Sequence, residues 1–227
     1  MNQSILLLAN NISKKFSLPG TDEELHILQD LNLQVKRGST VAIVGASGSG
    51  KTTLLSILAS LDLPDQGNVL IDGEDITLLS EKERSILRAI KLAFVFQDFL
   101  LLPHLTALEN TMLPLEMRGD KQARSKAMTE LQKAGLGERA NHYPSQLSGG
   151  EQQRVGLVRA FATHPQILFA DEPSGNLDNT TGDKIAQLLF QMNEEYKTTL
   201  ILVTHDIQLA KRCSQVYELN NKKLILK

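Results

Sequence analysis

Apolar residues fall in short runs at the start of the chain and at helical spacing through its middle. Residues 5–9, 31–35, 40–44 and 68–72 are β-compatible, and turn residues such as Pro19-Gly20, Arg37-Gly38 and Asp72-Gly73 separate them. The chain to about residue 76 therefore predicts strands. Ser80-Glu81-Lys82-Glu83 is a capping box that opens a helix to about Ile90. Thr106-Ala107-Leu108-Glu109 is another, and Pro114 is expected to end its helix. Asp120 caps a third helix reaching Gly135, and a fourth opens at Leu147–Gln152 with Val155, Val158, Phe161 and Ala162 as its apolar stripe. The last third alternates. A strand at Ile167–Ala170 precedes a helix from about Thr180 to Tyr196, whose buried face is Ile185, Leu188, Leu189, Met192 and Tyr196. A strand Leu200–Val203 and a helix near 206–212 follow. Strand–helix alternation predicts a mostly parallel α/β sheet, with the helical middle as an insertion.

One segment gives this pattern a chemistry. Thr40–Val44 reads as a buried strand running into Gly45-Ala46-Ser47-Gly48-Ser49-Gly50-Lys51-Thr52, which fits G-x-x-x-x-G-K-[ST]. Leu54, Leu55, Ile57, Leu58 and Leu61 then recur at helical spacing. Glycines let the backbone curl so that several N–H groups point inward, and the following helix adds about half a positive charge at its start. Lys51 is expected on the β- and γ-phosphates, and the Thr52 hydroxyl on Mg²⁺. The reading is a nucleoside triphosphate site.

Composition narrows the partners. The 227 residues carry 41% hydrophobic and 22% charged side chains and a formal net charge of −2, which points away from a nucleic-acid partner. Aromatics are 4% and Trp is absent, which weakens any case for base-stacking platforms. One cysteine, Cys213, excludes an internal disulfide and fits a reducing cytosol. Ile5–Ala9 is too short for a signal peptide, and no apolar run approaches the ~20 residues of a membrane helix. Work at a membrane would require docking onto something that spans it.

Ile167–Ala170 ends in Asp171-Glu172. In a P-loop fold a strand-end aspartate holds Mg²⁺, so Asp171 takes that role. Glu172 is placed to polarise an attacking water. Leu147-Ser148-Gly149-Gly150-Glu151-Gln152 puts a hydroxyl and two unobstructed glycine N–H groups at another helix start. Either this is a second anion site, or it is a plain N-cap after the Pro144 turn.

The P-loop followed by this segment resembles the nucleotide-binding subunits of ATP-binding-cassette (ABC) ATPases, over essentially the whole chain. Leu147–Gln152 is similar to that family's signature motif. The resemblance implies a P-loop NTPase (RecA-like) α/β core with a small antiparallel β subdomain and an inserted α-helical subdomain. One domain would cover 1–227, with core and β subdomain at about 1–96 and 161–227 and the helical subdomain at about 97–160. Gln97 matches the family's metal-sensing glutamine, Ser174-Gly175-Asn176-Leu177-Asp178 its D-loop, and His205 its switch histidine against the γ-phosphate. Phe16 stands where the family stacks an aromatic on adenine, usually a tyrosine, and the loop Ser17–Glu24 beside it is variable. Thr53 and Glu151 join the nucleotide-contacting positions on the same basis. Ser174 for Thr and Thr52 for Ser both keep the hydroxyl. LSGGEQQ at Leu147–Gln153, Phe169–Pro173 and Gly175–Asp178 resemble the lipoprotein-release and macrolide-exporter group (LolD/MacB-like), and Thr181–Asp206 is nearest its YbbA-type ATPases.

That group implies ATP and Mg²⁺ as cofactors and a head-to-tail pairing of two copies. It also implies a separate MacB/FtsX-like permease and a place on the cytoplasmic face of the inner membrane. An export motor is the first reading, and an FtsE-like coupler that works across the membrane without transport is the alternative. A DNA- or ribosome-acting ABC ATPase fits poorly, because the interval from Lys51 to Ser148 holds no coiled-coil or zinc insertion and the chain has one cassette. The apolar run Phe99-Leu100-Leu101-Leu102-Pro103 is either core or a docking patch, and family position favours docking. His26, His104, His142 and His164 lack metal-ligand spacing, and Cys213, beside Lys211 and Arg212, reads as a helix-end cysteine.

Overall fold

The computed structural model describes residues 4–17, 20 and 24–227, so Pro19 of the expected turn and most of the loop beside Phe16 lie outside the described residues. The chain is α/β and divides into two compact units, one of residues 1–88 with 199–227 and the other of residues 89–198.

In the first unit, β1 (Ile5–Ser17) and β2 (Glu24–Lys36) pair antiparallel, and the register Leu7↔Val35, Ala9↔Leu33 sends alternate apolar side chains to one face. Both strands run longer than the segments the sequence marks. Bulges absorb their polar stretches, with Asn11 and Asp30 in the left-handed region. β3 (Thr40–Val44) leads into the P-loop and α1 (Lys51–Leu58). Leu54, Leu55, Ile57 and Leu58 are buried as expected, but α1 stops short of Leu61, which is 48% exposed. β4 (Gln66–Ile71) pairs antiparallel with β1, and β5 (Glu74–Asp75) with β4. These strands form an antiparallel sheet in the order β2-β1-β4-β5. α2 (Glu81–Lys91) opens as its capping box predicts, with the Ser80 N–H and hydroxyl on the Glu83 carboxylate.

The second unit begins at the end of α2. β6 (Leu92–Val95) pairs in parallel with β7 (Ile167–Asp171). Between them come α3 (Ala107–Met117), α4 (Ala123–Lys133) and α5 (Gly149–Phe161), which pack on one another. α6 (Asn179–Tyr196) packs against α5 and buries Ile185, Leu189 and Met192, with Leu188 and Tyr196 half-buried. Pro114 does not end α3. It removes one backbone donor near the last turn, and Leu115 beyond it is buried, so continued packing outweighs one lost bond. Asp120 does not cap α4 either. Its carboxylate accepts from the Gln122 N–H at 2.8 Å and holds a turn, and the helix starts at Ala123.

The chain then returns to the first unit. β8 (Thr199–Val203) pairs in parallel with β3, and β9 (Gln215–Asn220) pairs in parallel on β3's other side. Val41, Ala42, Ile43 and all of Leu200–Val203 are buried, so β3 is a central strand whose C-terminal end points the P-loop outward. α7 (Ile207–Ala210) is a single turn capped by Asp206, shorter than the sequence suggests. β10 (Lys223–Leu226) closes an antiparallel hairpin with β9.

Candidate nucleotide site

Two glycines of the P-loop stand where a side chain would crowd its neighbours. Gly45 and Gly50 both have positive φ. A Cβ at Gly45 would lie 2.6 Å from the Leu219 carbonyl oxygen, and one at Gly50 would lie 2.6 Å from Ile27 Cγ2. Gly48 has φ 75° and nothing within 4 Å, so the outer side of the loop is open. Gly50 is the N-cap of α1 and carries no side chain to satisfy the first amides. No acidic residue stands in that first turn. The Lys51 ammonium donates to the Gly45 and Ala46 carbonyls at 2.9 and 2.8 Å, which lays it along the loop. Ser49 Oγ is buried and finds no partner among the described residues. Such a loop, with a helix start that no side chain caps, a cation and an orphaned hydroxyl, fits a polyphosphate.

Other expected residues lie in the same unit. Phe16 is 45% exposed near the end of β1, with the Lys14 ammonium 5.5 Å from its ring centroid. His205 is exposed just past β8, where Thr204 N–H still bonds the Ile43 carbonyl at 3.2 Å. His205, Gly45 and Ala46 share the wall of a cavity of about 630 Å³ with Ile207, Lys211 and Glu218.

In the second unit, Asp171 closes β7 and Glu172 follows in the left-handed region at φ 46°. A non-glycine residue held there costs about 1–3 kcal/mol and persists only where its surroundings fix it. The Glu172 carbonyl accepts from Gly175 N–H at 3.0 Å. A Cβ at Gly175 would meet Gln97 Nε2 at 3.2 Å and Glu172 Cβ at 3.3 Å, so glycine lets these two side chains crowd together. Gln97 Nε2 donates to Asn176 Oδ1 at 2.8 Å, and Asn176 Nδ2 donates to Asp98 Oδ1 at 2.9 Å.

Ser148 caps α5 in a complete capping box. Its hydroxyl accepts from Glu151 N–H at 3.3 Å, and the Glu151 carboxylate accepts from the Ser148 N–H and hydroxyl, both at 2.8 Å. Arg139 reaches the same carboxylate at 3.0 Å. The Ser148 backbone and hydroxyl, and then Arg139, hold Glu151 at about 2, far below an ordinary carboxylate. Gly150 is buried, and a Cβ there would meet Thr181 Cγ2 at 2.6 Å.

Three comparisons bear on this arrangement. The family profile described as ABC transporter matches residues 28–175. The chain is 54% identical over 212 residues to the uncharacterized ABC transporter ATP-binding protein YbbA of Escherichia coli (strain K12), covering 92% of this chain and 93% of that protein. This chain belongs to the ABC transporter family. It is also 45% identical over 224 residues to the lipoprotein-releasing system ATP-binding protein LolD of Alcanivorax borkumensis, at 97% and 96% coverage. Among solved structures it is similar to the dimeric post-hydrolysis state of the ATP-binding cassette MJ0796 bound to ADP and Pi. That match has a TM-score of 0.87 and 41% identity, and covers 96% of each chain.

The chain is thus an ABC ATPase that binds ATP and hydrolyses it. The cassette also contains pairings the sequence does not announce. Gln153 is buried, and its amide nitrogen donates to the Pro173 carbonyl and, at 3.3 Å, to that of Phe96. It ties the signature helix to the ends of both β6 and β7. Asn176 reaches Gln97 across 79 positions, and Arg139 reaches Glu151 across 12. None of the three carries a local signal, because each partner is brought close only by the fold. Cys213 is buried, and burial pushes its thiol up to about 12 despite Arg212, so it is an inert core residue.

Proposed function

We propose that this cassette is the motor subunit of an inner-membrane export system with a separate MacB/FtsX-like permease, and that it works as a head-to-tail pair on the cytoplasmic face. Phe16 stacks on adenine. Gly45 to Thr53 hold the phosphates, with Lys51 leaving its loop carbonyls for the β- and γ-oxygens. Thr52, Gln97 and Asp171 supply hydroxyl, amide and carboxylate oxygens, a hard donor set suited to Mg²⁺. When bound, that ion neutralises charge on the β- and γ-phosphates. The Gln97 amide nitrogen is committed to Asn176, so its carbonyl oxygen is the atom that would serve the cation. Glu172 accepts a proton from water as the oxygen attacks the γ-phosphorus and the bond to the ADP oxygen breaks. His205 donates to the γ-phosphate. Ser148, Gly149, Gly150 and Glu151 close on the nucleotide of the second copy.

The observation that carries this reading is the presence of two glycine-lined helix starts in one chain, only one of which has a lysine. A second such end is redundant within one subunit and useful only across two. Ser148 must first release its hydroxyl from Glu151 to meet a phosphate, which makes the closed state conditional on the partner.

Docking is assigned to Gln97–Leu105. Leu100 and Leu102 are 56% and 44% exposed, whereas Leu101 is half-buried. No helix among the described residues is long and apolar enough to cross a membrane, so attachment falls to a surface of this kind. Leu102→Asp changes an exposed side chain, and it is expected to release the protein from the membranes of its source cells while ATP binding stays intact. Fractionation of cells producing tagged versions tests this. Full membrane retention of a folded, ATP-binding Leu102→Asp variant would place docking elsewhere.

A further inference from the structure

The exposed apolar loop that follows Gln97 is held in an unusual way. Leu100 sits in the left-handed region at φ 46°, which a leucine does not adopt without constraint. The constraint comes from the signature helix. Arg159 Nη1 donates to the Leu100 carbonyl at 2.7 Å, and Nη2 to the Phe99 carbonyl at 3.2 Å. Two successive carbonyls are thus gripped by one planar fork. The same helix lies close to the loop at two of its glycines. A Cβ at Gly156 would stand 3.6 Å from the Phe99 carbonyl oxygen, and one at Gly149 would stand 3.6 Å from the Phe99 ring. The loop is braced a second time from α3. Asn110, fully buried, accepts from Leu102 N–H at 2.8 Å and donates to the carbonyls of Leu102, Leu105 and Thr106 at 2.9–3.1 Å.

We infer that Arg159 is a positioning residue that locks loop 99–102 to the signature helix, so that nucleotide-driven movement of α5 is delivered to the loop. This rests on the docking assignment above for its purpose, though not for its geometry. A guanidinium drawn out of water needs every acceptor it can find, and burial pulls the Arg159 pKa below the usual arginine value. Here its acceptors are backbone carbonyls of the loop, not a carboxylate, so the charge serves to fix a main-chain path. Phe99 packs inward on Gly149, next to Ser148, while Leu100 and Leu102 face outward. One short segment therefore touches the phosphate-sensing end of α5 on one side and presents an apolar surface on the other. Without the fork, the carbonyls of Phe99 and Leu100 are released from α5, and the Asn110 brace holds the loop to α3 instead.

Hydrogen exchange on the purified chain tests this, with Glu172→Gln present to arrest hydrolysis. Exchange is followed in the 99–106 and 149–161 segments as Mg²⁺-ATP is titrated. With Arg159 intact, both segments respond with the same ATP midpoint. Arg159→Met keeps most of the stem but removes both donors to the loop carbonyls. It is expected to bind ATP within about twofold of the parent and to keep the 149–161 response, while the 99–106 response falls on the order of threefold. A purely structural role would loosen both segments together and leave their ATP responses in proportion. Separate midpoints with Arg159 intact would overturn the inference without any variant at that position, and so would an undiminished 99–106 response in Arg159→Met. No membrane is present in this experiment, so a failure of Leu102→Asp to detach the protein would overturn the docking assignment and leave the brace standing.

Discussion

In the proposed mechanism, much of the chemistry rests on two single side chains, Lys51 and Glu172. Lys51 is parked on two carbonyls of its own loop, 2.8–2.9 Å away, and exchanges them for phosphate oxygens when nucleotide binds. Lys51→Ala should weaken ATP binding by about tenfold or more, because the loop amides remain but the charge-assisted contact is gone. Equilibrium titration with a fluorescent ATP analogue measures this, and near-normal affinity would remove Lys51 from the site. Glu172→Gln keeps the shape but cannot take a proton, and phosphate release should slow by about 10²–10⁴-fold. Gly150 tests packing at the signature. A methyl there collides with Thr181 Cγ2, and overpacking of this kind costs about 1–3 kcal/mol. Gly150→Ala should lower the melting temperature by several degrees, about 2–4 °C per kcal/mol. Adding Thr181→Ser, which deletes the offending methyl, should restore most of it. An unrescued double variant would mean the strain lies in the backbone.

Among the elements, α5 is the one whose start is most pH-sensitive. Glu151 titrates near 4.5 when unconstrained and at about 2 in the fold. A depressed carboxylate stabilises the native state above pH 4.5, and that contribution is lost as pH falls from about 4.5 toward 2. Glu151→Gln keeps the capping geometry and removes the titration. Thermal unfolding across this window should show the wild type losing its advantage over the variant as acid is added. A constant gap would mean the capping box does not sense the charge. This box, like those at Ser80 and Thr106, is legible in sequence because both partners lie within four residues. The P-loop and the strand–helix alternation are legible for the same reason. Longer-range outcomes are not. α3 runs on through Pro114 because Leu115 is buried, and β9 and β10 form because β3 offers a free flank, neither of which local pattern reports. The crowding of Gln97, Gly175 and Glu172 joins residues about 75 positions apart, and only the folded chain brings them together.

At the scale of the whole molecule, the account depends on ATP turnover by Glu172 within a pair of copies. The similar cassette bound to ADP and Pi is itself dimeric. In the proposed head-to-tail pair, the signature of each copy meets the phosphate held by the other. Glu172→Gln, saturated with Mg²⁺-ATP, is the variant in which that pair should accumulate. Light scattering behind size exclusion, with nucleotide counted in the eluted peak, measures both quantities at once. The expected result is a species of twice the 25.1 kDa chain mass carrying two unhydrolysed ATP molecules, reverting to single copies when ATP is replaced by ADP. A monomer at saturating Mg²⁺-ATP, or a variant that still releases phosphate at the wild-type rate, would contradict it.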